Sequence, residues 1–247
     1  MFTPAERERL RADLLSAARS DPRITGGAIT GSASVSLEDA WSDIDLAFGV
    51  ADGATVADVL ADWSKRMYRE HGVVHHLDVP SGAWIYRVFL LPSTLQVDLA
   101  FAPAKDFGAR APTFRLVFGK AADLAPVPPP VAEQLVGWAW LYALHARSSL
   151  ARGRLWQAEY IVGAMRDQVL ALACLRHGLP ARDGRGMDRL PAEVTRPLAK
   201  ALVARIDATD ISRAFRVATD GLLAEAHHVD LAVARALEPA LLELARS

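Results

Sequence analysis

The segment AITGSASVSLEDAWSDIDLAF, residues 28–48, indicates what the first part of the chain forms. Gly31 and Ser32 end one apolar run, and after a spacer of ten residues Asp43 and Asp45 flank a single isoleucine in a second run. Residues two apart on a β-strand point to the same face, so we expect the two carboxylates to project together. Adjacent carboxylates repel each other, and a divalent cation between them relieves that repulsion.

A third acidic residue, Asp98, lies in the apolar run LQVDLAF. A charged side chain in such a run needs a partner. The preceding run, AWIYRVFLL, is expected to pair with it as a hairpin across Pro92 and Ser93, which could bring Asp98 beside the aspartate pair. Mg²⁺ accepts carboxylate and phosphate oxygens, so the three acids are candidate metal ligands and catalytic residues.

Gly31 and Ser32 are candidate nucleotide-binding residues. Glycine lets backbone N–H groups approach a phosphate closely, and the following ASVSLEDA is expected to start a helix whose N-terminus favours an anion. The Ser32 hydroxyl can donate a further hydrogen bond.

The chain changes character at the proline-rich segment VPPPV, residues 127–131. Before it, short β-like runs alternate with two helical segments, whereas almost everything after it is helix-like and rich in Ala, Leu and Arg. The predicted fold class is therefore α+β, with a small mixed-sheet domain over residues 1–126 and an all-α helical bundle over residues 127–247. The helices expected in the bundle cover residues 132–151, 155–177, 191–208, 210–226 and 230–245.

Composition limits the classes of partner. The net charge is −1, which argues against a dedicated nucleic-acid binder because such proteins carry a strong basic excess. Neither a signal peptide nor an apolar run of about 18 residues is evident, so a cytoplasmic protein without a membrane segment is expected. The single cysteine, Cys174, lies in a helix-like apolar run and reads as a buried thiol.

The segment GSASVSLEDAWSDIDLAF resembles the signature of the nucleotidyltransferase superfamily that shares the polymerase-beta fold. The resemblance covers roughly residues 24–102. It implies transfer of a nucleoside monophosphate, usually from ATP, with Mg²⁺ as cofactor and release of pyrophosphate. It also implies that the Gly-Ser pair holds the triphosphate and that the three acids form the metal site, namely Asp43, Asp45 and Asp98. With a helical bundle following it, the chain further resembles aminoglycoside and lincosamide nucleotidyltransferases, whose bundle helps bind a small acceptor.

Two charged residues of the second half, Glu159 and Arg166, are further candidates. Both lie on one face of a largely apolar predicted helix, where Glu159 would act as a base or bind a cationic acceptor and Arg166 would meet phosphate. Ordinary surface or inter-helix ion pairs explain these charges equally well. Glu159 and Asp98 remain alternatives for the general base.

The leading hypothesis is an enzyme that transfers AMP from ATP to a hydroxyl of a small, antibiotic-like acceptor. A second hypothesis keeps the chemistry but moves it to a protein or a tRNA, as in toxin–antitoxin pairs. A third is a nucleotide-binding regulator without catalysis, which would gain support if Asp98 turned away from Asp43 and Asp45. No motif selects the acceptor, the nucleoside triphosphate or an oligomeric state.

Overall fold

A computed structural model describes residues 1–246 of the chain. The chain divides into two compact units, Met1–Val127 and a second one that begins at Pro128. The first contains a mixed β-sheet with helices and the second is helical, so the predicted α+β fold class is confirmed. Within the described residues, no helix combines the length and the hydropathy that a bilayer crossing requires.

The first unit is organised by a sheet of six strands in the order β3-β4-β5-β2-β1-β6. The strands β2 and β5 run parallel, whereas all other neighbours are antiparallel, and the predicted hairpin of β4 and β5 is confirmed. The strand bounds are β1 Ile24–Thr30, β2 Ile44–Val50, β3 His75–Ser81, β4 Trp84–Leu90, β5 Gln96–Pro103 and β6 Phe114–Gly119.

One face of this sheet carries large apolar side chains and is covered by two helices, α1 (Pro4–Ser20) and α3 (Val56–His71). Their starts are encoded locally, since the Thr3 and Thr55 side chains accept hydrogen bonds from the backbone N–H groups three residues later. The buried cluster includes Phe48 and Phe101 of the sheet and Trp63 of α3. Full burial of each such side chain contributes about 1.5–3 kcal/mol.

The opposite face is lined near its centre by small residues. Ala28, Ala47 and Ala100 occupy β1, β2 and β5, and the cluster they form with Trp84 and Phe107 is separate from the large apolar core. Strand alternation places the side chains of Asp45 and Asp98 on this second face, which we call the alanine face.

The second unit consists of helices packed around a common apolar core. Their bounds are α4 Ala132–Ala151, α5 Leu155–Arg176, α6 Ala192–Ala199, α7 Ala208–Val229 and α8 Leu231–Arg246. Four of the five predicted helices lie within a few residues of these bounds. Cys174 is buried in α5 with a free thiol, as predicted.

The predicted helix over residues 191–208 is too long. The observed α6 ends at Ala199, two residues after Pro197, which lacks a backbone N–H. Backbone turns over residues 200–202 follow it, and the carboxylate of Asp210 then accepts from the backbone N–H groups of Ala204 (2.6 Å) and Arg205 (2.9 Å). A side chain from the next helix thus satisfies the donors that a longer α6 would have paired.

Candidate active site

Asp45 and Asp98 lie side by side on the alanine face. They are direct partners in the parallel register of β2 and β5, so their Cα atoms belong to neighbouring strands about 4.8 Å apart. Both are partly buried. They lie at the sheet edge where β2 and β5 begin and β1 ends, which is also where the Gly-Ser pair is found.

Asp43 immediately precedes β2, whose first residue is Ile44, rather than lying within the strand. Its Oδ2 accepts a hydrogen bond of 3.1 Å from the Gln96 side-chain amide at the start of β5. Asp43 is also close enough to Asp98 for its charge to act on that carboxyl group. The three acids predicted from the sequence therefore meet at one edge of the sheet.

The environment of Asp98 disfavours its ionised form. Burial is the main cause and the negative charge of Asp43 the second, and together they raise the pKa of Asp98 from 3.8 to about 6. Its Oδ1 atom is buried and accepts no hydrogen bond from the described residues. A buried carboxylate oxygen in that state is suited to receive a cation or a proton.

Gly31 packs directly against Asp45. Its φ is +60°, and a Cβ atom on it would lie 1.9 Å from Asp45 Oδ2 and 2.9 Å from Asp45 Cγ. Any other residue here would strain the backbone and displace the carboxylate. Glycine is therefore required for two reasons at once, its conformation and the close approach.

Ser32 lies in a shorter helix than the sequence suggested. The helix α2 (Gly31–Ser34) is a single turn, closed by a 2.7 Å hydrogen bond from Ser34 Oγ to the Gly31 carbonyl. The chain then continues as a loop, because Ser36 adopts a positive φ of 59° that no continuing helix permits. The expectation that a helix starts in ASVSLEDA is therefore wrong for most of that segment, since the helix starts at Gly31 and ends at Ser34.

Tyr86 is a residue that the sequence analysis missed. It faces Ala100, and its neighbour Val88 faces Asp98, so Tyr86 is the diagonal neighbour of Asp98 on the same face. Burial and, secondarily, the Asp98 charge raise the pKa of the Tyr86 hydroxyl, with Arg110 opposing them, so the hydroxyl stays protonated at neutral pH. Alternation along the predicted hairpin could have identified it.

Glu159 and Arg166 belong to α5 in the second unit, where both are partly buried. The Arg166 guanidinium donates to the Asp167 carboxylate at 3.0 Å and passes near Gly163. This local ion pair supports the ordinary structural interpretation of Arg166. The roles of Glu159 in catalysis and of Arg166 in nucleotide binding remain predictions.

The chemistry of the three acids fits Mg²⁺, because the ion prefers carboxylate oxygens and the buried Asp98 Oδ1 has no other partner among the described residues. Within residues 1–246, however, no group of three or more His, Cys, Asp or Glu side chains is already arranged to hold a metal ion. The assignment of Asp43, Asp45 and Asp98 as metal ligands therefore stays a prediction.

Comparison with known proteins adds two distant likenesses. No protein-family model and no curated protein matches the chain. The crystal structure of an aminoglycoside 6-adenyltransferase from Bacillus subtilis is 13% identical over all of both chains, with a TM-score of 0.45. The polymerase core of TRAMP, an RNA surveillance complex, is 13% identical over 88% of this chain and 59% of that one, with a TM-score of 0.32. Both likenesses are too distant to assign a function to this chain.

Proposed function

We propose that the chain is a nucleotidyltransferase that transfers AMP from ATP to a hydroxyl of a small acceptor and releases pyrophosphate. The observation that supports this most is the register of β2 and β5, which pairs Asp45 with Asp98 while Gly31 packs against Asp45. A glycine turn and converging acids at one sheet edge are what a triphosphate and its counter-ion need.

Each residue would have a distinct task. The backbone N–H groups of Gly31 and Ser32 would bind the triphosphate, with the Ser32 hydroxyl as an additional donor. Asp43, Asp45 and Asp98 would hold Mg²⁺, which when bound neutralises triphosphate charge and favours the ionised acceptor. The alanine face would leave room for substrate beside these groups.

In the transfer step a bond forms between the acceptor oxygen and the α-phosphorus, and the bond from that phosphorus to the bridging oxygen breaks. The electron pair of the broken bond leaves with pyrophosphate. The acceptor proton passes to a carboxylate, for which Asp98 and Glu159 are the candidates. Asp98 is supported by its place beside Asp45 in the register of β2 and β5, where the acceptor hydroxyl would meet the metal.

The order of strands suggests where each substrate would lie. Gly31 follows β1, Asp45 lies on β2, Asp98 on β5 and Tyr86 on β4, and these strands are consecutive neighbours. The triphosphate would therefore lie on the β1 side of the acids and the acceptor on the β4 side, beside the protonated hydroxyl of Tyr86.

The proposal is tested by incubating the protein with Mg²⁺ and ATP labelled on the α-phosphorus. The acceptors are aminoglycosides, lincosamides, total tRNA and protein, and the controls are Asp45→Asn and Asp52→Asn, the latter removing an exposed acid beyond the other end of β2. Label on a small molecule, lost only in Asp45→Asn, is the expected result. Label on protein or tRNA would show that the acceptor is a macromolecule and not a small molecule. ATP binding without transfer to any acceptor would favour the regulatory alternative.

A further inference from the structure

Two buried arginines on α1 have no role in the proposed reaction. Arg7 and Arg11 are 5% and 3% exposed, and they continue the buried stripe of α1 formed by Leu14 and Ala18. An apolar side chain at either position would fill this buried stripe without the free-energy cost of removing a charge from water. Buried guanidinium groups are tolerated only when they are paired, so their partners show what they are for.

Apart from Glu8 of the same helix, their partners lie in one segment, residues 35–42, which we call the connecting loop. Arg7 Nη1 donates to the backbone carbonyls of Asp39 (2.7 Å) and Ser42 (2.8 Å). Arg11 donates from Nη1 and Nη2 to the two carboxylate oxygens of Glu38 at 2.9 and 3.0 Å. Such a two-pronged pair fixes the orientation of both side chains.

Glu38 also ties the two arginines to each other. Its Oε1 lies 3.3 Å from Arg7 Nε, close enough for charge attraction although it is not aligned as a hydrogen bond. Arg11 has a second carboxylate partner, Glu8, one turn earlier on α1. The loop is therefore held by a connected charge network and not by apolar packing, since Leu37 and Trp41 are 76% and 79% exposed.

The connecting loop joins the two halves of the candidate site. It begins after Ser34, the last residue of the short helix that starts with the Gly-Ser pair, and ends at Ser42, whose neighbour is Asp43. The Ser42 carbonyl that Arg7 holds is part of the peptide bond to Asp43. A shift of that peptide moves the Asp43 side chain, whereas Asp45 and Asp98 are fixed by the ladder of β2 and β5.

We propose that Arg7 and Arg11 are positioning residues that hold the connecting loop so that Asp43 stands beside Asp98. The role of this placement in a reaction rests on the proposed nucleotidyltransferase function. The placement itself does not, and it is measurable without substrate.

The test compares Arg7→Met and Arg7→Lys with Arg9→Met, which removes an exposed arginine of the same helix. Hydrogen exchange by mass spectrometry reports the order of the connecting loop, and calorimetry reports binding of Mn²⁺ alone. We expect exchange in residues 35–44 to become at least about tenfold faster in Arg7→Met while β5 keeps its protection. Mn²⁺ affinity should fall about tenfold, with partial recovery in Arg7→Lys and no change in Arg9→Met.

Glu38→Gln is the second variant, since it weakens the network from the loop side if Arg7→Met fails to fold. Unchanged loop exchange in the folded variants would overturn the proposal, as would a loosened loop with Mn²⁺ affinity equal to that of the wild type. If the wild type binds no Mn²⁺, the proposed metal site fails instead. In that case, faster exchange at residues 43–44 together with the loop in Arg7→Met supports the positioning role. Unchanged exchange at residues 43–44 overturns it.

Discussion

Replacement of Asp98 by asparagine should make the metal-free protein more stable. The pKa of Asp98 is raised from 3.8 to about 6, mainly by burial and secondarily by Asp43, so folding penalises its ionised form. At about 1.36 kcal/mol per pKa unit, this rise corresponds to about 3 kcal/mol at neutral pH. Asparagine keeps the shape of the side chain and carries no charge, so it removes this penalty.

The gain should depend on pH in a defined direction. At low pH the Asp98 carboxyl group is neutral in both the folded and the unfolded state. As pH rises from 3.8 to about 6 it ionises in the unfolded state first, so the free energy of unfolding of the wild type falls over this range. Asp98→Asn should therefore exceed the wild type in free energy of unfolding by about 1 kcal/mol near pH 4.5 and by about 3 kcal/mol above pH 7.

Urea unfolding followed by tryptophan fluorescence in EDTA measures this difference. Trp63 and Trp84 are the buried tryptophans among the described residues and both belong to the first unit, so the signal reports mainly that unit. Asp52→Asn controls for the loss of an exposed carboxylate. An Asp98→Asn variant no more stable than the wild type at pH 8 would refute the reasoning, because the carboxylate would then have a compensating partner.

Three further results are expected. Gly31→Ala should abolish triphosphate binding in a filter assay and lower the free energy of unfolding by more than about 1 kcal/mol, while Gly53→Ala, which meets open space, should change neither. Normal ATP binding by Gly31→Ala would contradict its role. Tyr86→Phe should raise the KM for the acceptor about fivefold in steady-state kinetics and leave that for ATP unchanged; the reverse pattern would place Tyr86 on the nucleotide side. Glu225→Ala should lower the thermal midpoint of the second unit by several degrees, since it removes the carboxylate that Arg176 binds at 2.7 Å; an unchanged midpoint would show that this pair is dispensable.

The parts of the site that depend on local sequence were predictable. Strand alternation around Ile44 indicates which face Asp45 shares, and the run around Asp98 has the same pattern, although Asp43 itself lies just before the strand. The register that pairs Asp45 with Asp98 joins strands distant in sequence through a parallel contact. Local patterns do not determine such a contact, although apolar alternation on both strands restricts it.

Other features required knowledge of long-range partners. Arg7 and Arg11 are typical of an exposed helix face, and it is mainly the carbonyls and the carboxylate of the connecting loop that make their burial favourable. The end of α6 at Ala199 was missed for a similar reason, since Asp210 satisfies the following backbone donors from another helix. In both cases the deciding hydrogen bonds join separate segments of the chain.

The central claim is that one sheet edge holds both the triphosphate and its metal. It is tested most directly by a crystal structure with Mn²⁺ and an ATP analogue whose bridge between the α- and β-phosphorus is a methylene group. We expect an anomalous peak ligated by Asp43, Asp45 and Asp98, with the phosphates at the backbone of Gly31 and Ser32. Phosphates bound elsewhere, or a metal ion without these carboxylates, would contradict it.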